Sequence, residues 1–305
     1  MIRNTIKKVI LWGHKLHSHT HSYIHFGFKK AFDYLGYHTE WFDDSDDVST
    51  YDFSNSLFIT EGQVDDKIPI LQDCYYVLHN CDGKKYYSSV SSKNIVIIQV
   101  FTKDVFKHGA KSSKLYPFCY YGNDIIYIPW ATDLLPHEIN NNIKKVNNNQ
   151  IKSSNIVNFV GYYLPIWDEF KNKCLEHNIK FTATGGFGRN NVDSEENMKL
   201  IQQSIIAPAL QNEWQVENGY IPCRIFKNIS YGKMGITNNK YVYDLFNGKI
   251  IYDNDISNIV QKGLDFEQNI NKNKLLIPLM ELVRDKHTYL NRIELIFWFF
   301  DNILI

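Results

Sequence analysis

Short runs of consecutive apolar residues, each followed by a helical pattern, recur along this chain, and that alternation restricts the fold more than any other feature. Strands joined by crossover helices form a parallel sheet, and strands buried on both faces read as unbroken apolar runs. The first unit is the clearest. Val9 to Trp12 is a strand, and Gly13 turns into a histidine-rich loop. The following helix carries Ile24, Phe28, Ala31, Phe32 and Leu35 on one face, and Gly36 stops it. Further strands are expected at Thr39 to Phe42, Leu57 to Thr60, Tyr75 to His79, Asn94 to Val100 and Ile125 to Ile128.

The rhythm lapses in a polar stretch from Asn140 to Asn155, where no apolar face can be drawn, and then restarts. Ile156 to Val160 is a strand closed by Gly161, a helix covers Trp167 to His177, and Lys180 to Thr184 is a strand ended by Gly185 and Gly186. A helix with Ser194 as its N-cap and Glu195 and Glu196 in its first turn follows, then the apolar run Ser204 to Leu210. A chain of 305 residues is about twice the usual domain length, so two α/β domains are expected with a ligand cleft between them. The boundaries are 1–145 and 151–280, followed by a final apolar helix over 281–305.

Hydrophobic residues make up 44% and aromatic residues 15%, enough for packed interiors. The 33 basic and 33 acidic residues cancel without a cationic run, which argues against nucleic acid as a partner. Cys74, Cys81, Cys119, Cys174 and Cys223 are scattered without CxxC spacing, as reduced cytoplasmic thiols would be. Neither Lys8 to Trp12 nor the interrupted tail from Ile293 to Ile305 is an uninterrupted membrane span, although the tail leaves room for peripheral membrane contact. The heavy use of Asn, Lys and Ile is what an AT-rich genome produces, such as that of a large DNA virus or a protist.

The most informative segment runs from Gly219 to Gly232. Pro222 suits a first helical turn and Gly232 a stop. Arg224, Lys227, Asn228 and Tyr231 fall on one face, and Ile225, Phe226 and Ile229 on the other. A helix start beside Arg224 attracts an anion: the guanidinium fork suits phosphate oxygens, and Lys227 adds a charge one turn later. The plain alternative is the solvated face of an ordinary amphipathic helix.

Tyr220 to Gly232, followed by Gly235-Ile236-Thr237-Asn238, resembles the donor-binding segment of GT-B glycosyltransferases. Phe159-Val160-Gly161 is similar to the opening of that fold's C-terminal domain, and Ser204 to Leu210 to the strand leading to the donor site. In the first half, Trp12-Gly13-His14 resembles the acceptor-side opening, and Ile128 to Asp133 the crossing between domains. The resemblance implies two Rossmann-like domains with an interdomain cleft, a C-terminal helix over 281–305 that crosses back to pack on the first domain, and a metal-independent enzyme without a cofactor. It would move a sugar from a nucleotide-sugar donor to a glycan, glycoprotein or other hydroxyl acceptor. It also implies that Arg224 and Lys227 meet the diphosphate, that Tyr220, Asn238 and Asn239 contact the donor, and that Gly161 and Gly185 allow close backbone approach. The glutamate pair of the commonest retaining subgroup is not found. Glu217 precedes the helix, and Arg224 and Ile225 stand where a second would fall, so retention and inversion both stay open.

Inversion needs a base, and the loop Gly13 to His21 leaves the first strand at its carboxyl end, where such sheets bind ligands. His14 is the first choice and His21 the second. Five histidines between His14 and His25 also raise a metal reading, which is set aside because no carboxylate lies near in the sequence and helical ligand spacing is missing. The acidic run Asp43 to Asp47 imitates a DxD metal motif and is read as a solvated loop. Two other functions fit the same architecture: a nucleotide-sugar epimerase, and a non-catalytic nucleotide-sugar or glycan-binding module.

Overall fold

A computed structural model gives the fold of the chain and describes residues 1–112, 118–186 and 191–304. Ile305, the last residue of the apolar tail, lies outside them. The chain divides into two compact units, one formed by Met1–Pro129 with Tyr289–Ile305 and the other by Trp130–Thr288.

The first unit is built on a sheet of β1 (Lys8–Trp12), β2 (Thr39–Phe42), β3 (Ser56–Glu61), β4 (Tyr75–His79), β5 (Ile95–Gln99), β6 (Lys111–Ser112), β7 (Cys119–Tyr121) and β8 (Ile125–Tyr127). Their order is β2-β1-β3-β4-β5-β8-β7-β6. The ladders from β2 to β8 are parallel, and β7 and β6 add an antiparallel edge. Every residue of β3 is buried, as its unbroken apolar run implies. Helix α1 (His21–Tyr34) buries Ile24, Phe28, Ala31 and Phe32. Leu35, assigned to the same face, is exposed just past the helix end, where Gly36 takes a φ of 83°. The shorter helices α2 (Gly83–Tyr87) and α3 (Thr102–His108) lie in this unit too.

The C-terminal helix (Tyr289–Asn302) belongs to this first unit. Its Tyr289 ring packs 4.7 Å from Phe28 of α1, and Phe297 packs 6.2 Å from Phe32. Arg292 is wholly buried on this helix, donates to Pro129 O at 2.9 Å and lies over the Phe118 ring. Burial pushes its guanidinium down to about 9.

The second unit begins earlier than the composition suggested. The stretch from Asn140 contains most of a helix, α4 (Pro136–Asn147), which buries Ile139, Asn142, Ile143 and Val146. An apolar face at i, i+4 and i+7 therefore exists, hidden among asparagines and lysines. Asn142 turns inward and donates to Ser230 O at 3.0 Å. The break between units lies at Pro129 and Trp130, not at residues 145–151.

After α4 come β9 (Ile156–Val160), α5 (Ile166–Glu176), β10 (Lys180–Thr184), α6 (Ser194–Gln203), α7 (Glu213–Glu217), α8 (Cys223–Ser230), β11 (Ile236–Thr237), α9 (Lys240–Leu245), β12 (Ile251–Tyr252), α10 (Ile256–Gln268) and α11 (Lys272–Lys286). The cap of α6 is Asp193, not Ser194; its carboxylate accepts from Glu196 N at 2.8 Å. The ladders here are short, β9 with β10 and β11 with β12. The run Ser204 to Leu210 is not a full strand. It lies between the two pairs, with Ile205 N donating to Ile156 O and Ala209 N to Ile236 O. One apolar core, including Phe159, Trp167, Phe170, Ile225, Phe226 and Met280, holds the unit together.

Candidate functional site

In the second unit the basic helix α8 forms as its end signals require, with two adjustments. Pro222 is the N-cap residue and not part of the first turn, and no side chain caps the start. At the other end Gly232, at φ 93°, donates to Ile229 O while Lys233 N donates to Asn228 O, the pairing of a glycine-terminated helix. The face assigned to polar residues is not solvated. Asn228 is buried and donates to Ala207 O at 2.7 Å, and Tyr231 is wholly buried.

The Arg224 guanidinium carbon lies over the Phe159 ring, 4.4 Å from its centroid, and the side chain donates to Val160 O at 2.7 Å. Burial pulls its guanidinium down from its ordinary value. Gly161 takes a φ of 141°, and a Cβ there would fall 2.6 Å from Arg224 Nη2, so only glycine admits the side chain so close to the β9 end. Gly185, at φ 77°, sits against Gly161 in turn, 3.3 Å from its nitrogen by the same measure. Three residues singled out in the sequence are thus gathered at the carboxyl ends of β9 and β10, beside the start of α8.

Lys227 is differently placed. Its Nζ lies 3.2 Å from Asp133 Oδ2, and Tyr231 donates to the same carboxylate at 2.8 Å and 3.0 Å. Burial alone would lower the Lys227 amine, but Asp133 outweighs it and raises it. The second cation is already matched by a carboxylate that sequence reading did not anticipate.

Asn238 and Asn239 both bond to neighbouring groups of the protein. Asn238 pairs through its amide with the backbone of Gln211, accepting at 3.0 Å and donating at 2.8 Å. Asn239 is 0% exposed; its Nδ2 reaches Gln211 Oε1 at 2.9 Å and Tyr220 O at 3.0 Å, and its Oδ1 caps α9 through Tyr241 N. It keeps no surface for a donor contact. Tyr220 is partly buried and takes a side-chain hydrogen bond from Trp130, and burial pushes its phenol up.

Elsewhere in this unit a cavity of about 720 Å³ is lined in part by Lys233, Ser153, Lys152, His177 and Lys272 and includes none of Gly161, Gly185, Tyr220, Arg224, Lys227, Asn238 and Asn239. Lys233 is 3% exposed, donates to Ser153 Oγ at 2.7 Å and is pushed down to about 8 by burial.

In the first unit, β1, β3 and β4 end at one edge of the sheet, which brings His14, Glu61 and His79 together. Glu61 is 1% exposed, with His14 Nδ1 against one carboxylate oxygen and His21 Nδ1 against the other. His14 N also donates to it at 3.3 Å. Burial pushes the Glu61 carboxyl up, but the hydrogen bond and charge of His21, with His25 and His14, outweigh this and hold it at about 2. The His19 ring stacks on His14 with centroids 4.2 Å apart, and His21 packs on the His79 ring at 5.3 Å. Burial pushes His25 and His79 down to about 4. His17 turns aside to the Tyr23 hydroxyl at 3.2 Å.

A carboxylate therefore stands among these histidines, which corrects the expectation that none is near. It comes from β3, and the signal in the sequence was an acidic residue closing a buried apolar run. The run Asp43 to Asp47 is engaged in local structure: Asp44 accepts from Trp12 Nε1 at 2.9 Å, and Asp46 meets Lys15 at 2.8 Å.

No family model and no curated protein matches this chain in sequence. Solved structures match it in fold. One is an alpha-glucosyltransferase in complex with UDP and a 13-mer DNA containing an HMU base, 10% identical, with a TM-score of 0.59 over 97% of this chain and 100% of that one. Another is an alpha-glucosyltransferase with UDP and a 13-mer DNA containing a central A:G mismatch, 10% identical, with a TM-score of 0.56 over 95% and 98%. A third is an alpha-glucosyltransferase in complex with UDP, 9% identical, with a TM-score of 0.55 over 96% and 99%. Two of these structures hold DNA, which stands against the expectation, drawn from charge alone, that nucleic acid is not a partner. No helix among the described residues is long and apolar enough to cross a membrane. The chain has the α/β fold of these UDP-bound glycosyltransferases.

Proposed function

We propose that this protein is a glycosyltransferase that takes a sugar from a nucleoside-diphosphate sugar and passes it to a hydroxyl acceptor. The observation that carries the reading is the seat of Arg224, whose guanidinium is fixed against Gly161 and Val160 O at an uncapped helix start. A departing diphosphate gains charge as the glycosidic bond breaks, and a cation fixed in advance stabilises that charge without reorganising. The UDP held by proteins of the same fold supports a uridine donor. Arg224 is the principal diphosphate group in this reading. Lys227, matched by Asp133, has a smaller part, and Asn238 and Asn239 shape the site by holding Gln211 and Tyr220.

If transfer inverts, His14 is the base. Its Nδ1 faces Glu61, which leaves Nε2 to take the proton of the acceptor hydroxyl. His21, on the other oxygen of Glu61, is the second choice. The acceptor is a glycan or another hydroxyl compound, with hydroxymethylated DNA included in the trial because a DNA complex is known for this fold.

UDP should raise the melting temperature of the protein, and Arg224→Ala should abolish that rise. UDP release from UDP-glucose should fall on replacing His14 if transfer inverts. A protein whose melting is unmoved by UDP, or moved equally in Arg224→Ala, does not use this site for a donor.

A further inference from the structure

The cluster at the carboxyl edge of the first sheet contains more imidazole than a base needs. We propose that His14, His19 and Glu61 form a site for one divalent transition-metal ion of the zinc, nickel and cobalt class. Each offers one ligand atom, and these atoms lie within 4.8 Å of one another. A tetrahedral zinc ion with nitrogen and oxygen bonds of ~2.0–2.1 Å sets its ligands ~3.3 Å apart. Side-chain rotations that close roughly an ångström and a half would complete the set.

The donor chemistry selects the ion. Two imidazoles and one carboxylate suit zinc and its neighbours, whereas magnesium and calcium ask for oxygen alone. An anionic carboxylate buried to 1% exposure is costly unless paired or coordinated, and among the described residues the ion-pair partners of Glu61 are the histidines His14 and His21. His21 on the second Glu61 oxygen and His14 N on the first hold the carboxylate as outer partners hold a metal ligand. His14 and His19 are each partly exposed, so an ion has a way in from solvent. The neighbours divide the labour: His17 is turned to Tyr23, and His25 is buried against Gly13.

The site shares His14 with the base of an inverting transfer, but its readout is ion binding alone, so it can fail or hold whatever becomes of the transferase reading. The full chain, stripped with EDTA and dialysed, is titrated with Co2+ at neutral pH, followed by visible absorption and calorimetry, and Zn2+ is then added to displace it. One equivalent should bind with the absorption bands of a nitrogen- and oxygen-ligated ion, and Zn2+ should erase them. His19→Ala and Glu61→Gln should each weaken binding by more than the ~10–100-fold that loss of an outer partner costs. His38→Ala, at an exposed histidine paired with Glu40 at 3.1 Å, should leave it unchanged. Should Glu61→Gln fail to fold, the partly exposed His19 carries the comparison alone. A folded wild type that binds neither ion, or a His19→Ala protein that binds Co2+ as tightly as wild type, overturns the proposal.

Discussion

The residues that matter most for charge in this protein are those whose partners lie far away in sequence. Glu61 meets His14 across 47 positions, and Lys227 meets Asp133, which lies on the segment before α4. Arg224 and Gly161 were legible as types, because glycine after a strand and arginine at a helix start each have a local reason. Their contact was not, since no spacing rule joins positions in separate βα units. Lys233 shows the same limit, being a plain lysine in the sequence and a nearly dry amine in the fold. Its folded value of about 8 lies below the 10.5 of a free lysine, so the unfolded chain holds this proton over a range where the native chain has released it. Stability owed to this group therefore rises with pH between about 8 and 10.5, and the penalty present below 8 is on the order of 3 kcal/mol. Denaturant unfolding of wild type and Lys233→Met across that range should show the difference, wild type minus variant, growing with pH; a flat difference would mean that the amine keeps its proton in the fold.

Elements were the most readable level. The strands β1 to β5 and β8 to β10 stand at or within about a residue or two of their expected positions, and those such as β1 and β3 are legible because a buried parallel strand has few ways to disguise itself. Helix α4 was disguised, since Asn140, Asn141, Lys144 and Lys145 outnumber Ile139, Ile143 and Val146. The short strands β11 and β12 and the bridged run at Ala209 carry too few ladder bonds for pattern alone to define them. Around them Asn239 acts as a clasp, joining the start of α9 to Gln211 and to the Tyr220 carbonyl ahead of α8. Asn239→Ala removes a cap and leaves buried partners unsatisfied, which should cost about 2–4 kcal/mol. Urea unfolding measures that loss. UDP affinity of the folded variant, taken well below its midpoint, should change far less than in Arg224→Ala; an equal loss would return Asn239 to the donor contacts.

At the scale of the whole molecule, the first unit is discontinuous, with its sheet made from the first 129 residues and one of its packing helices from the last segment of the chain. That helix buries Tyr289, Ile293, Ile296, Phe297 and Phe299. Large-to-small changes at such core positions cost about 2–5 kcal/mol each, so removing all of them exceeds the ~5–15 kcal/mol that usually holds a domain folded. Deleting residues 289–305 should therefore leave Trp130–Thr288 resistant to limited proteolysis while Met1–Pro129 is cut throughout; protection of both parts would show that the helix is dispensable. The same discontinuity governs how the chain is made. As the chain leaves the ribosome, residues 1–129 lack a packing helix until residues 289–302 emerge, while residues 130–288 form a unit by themselves. Residues 130–288 are therefore free to close before residues 1–129 can complete their core, and the apolar strands of that first sheet stay exposed for as long as the intervening segment takes to be made.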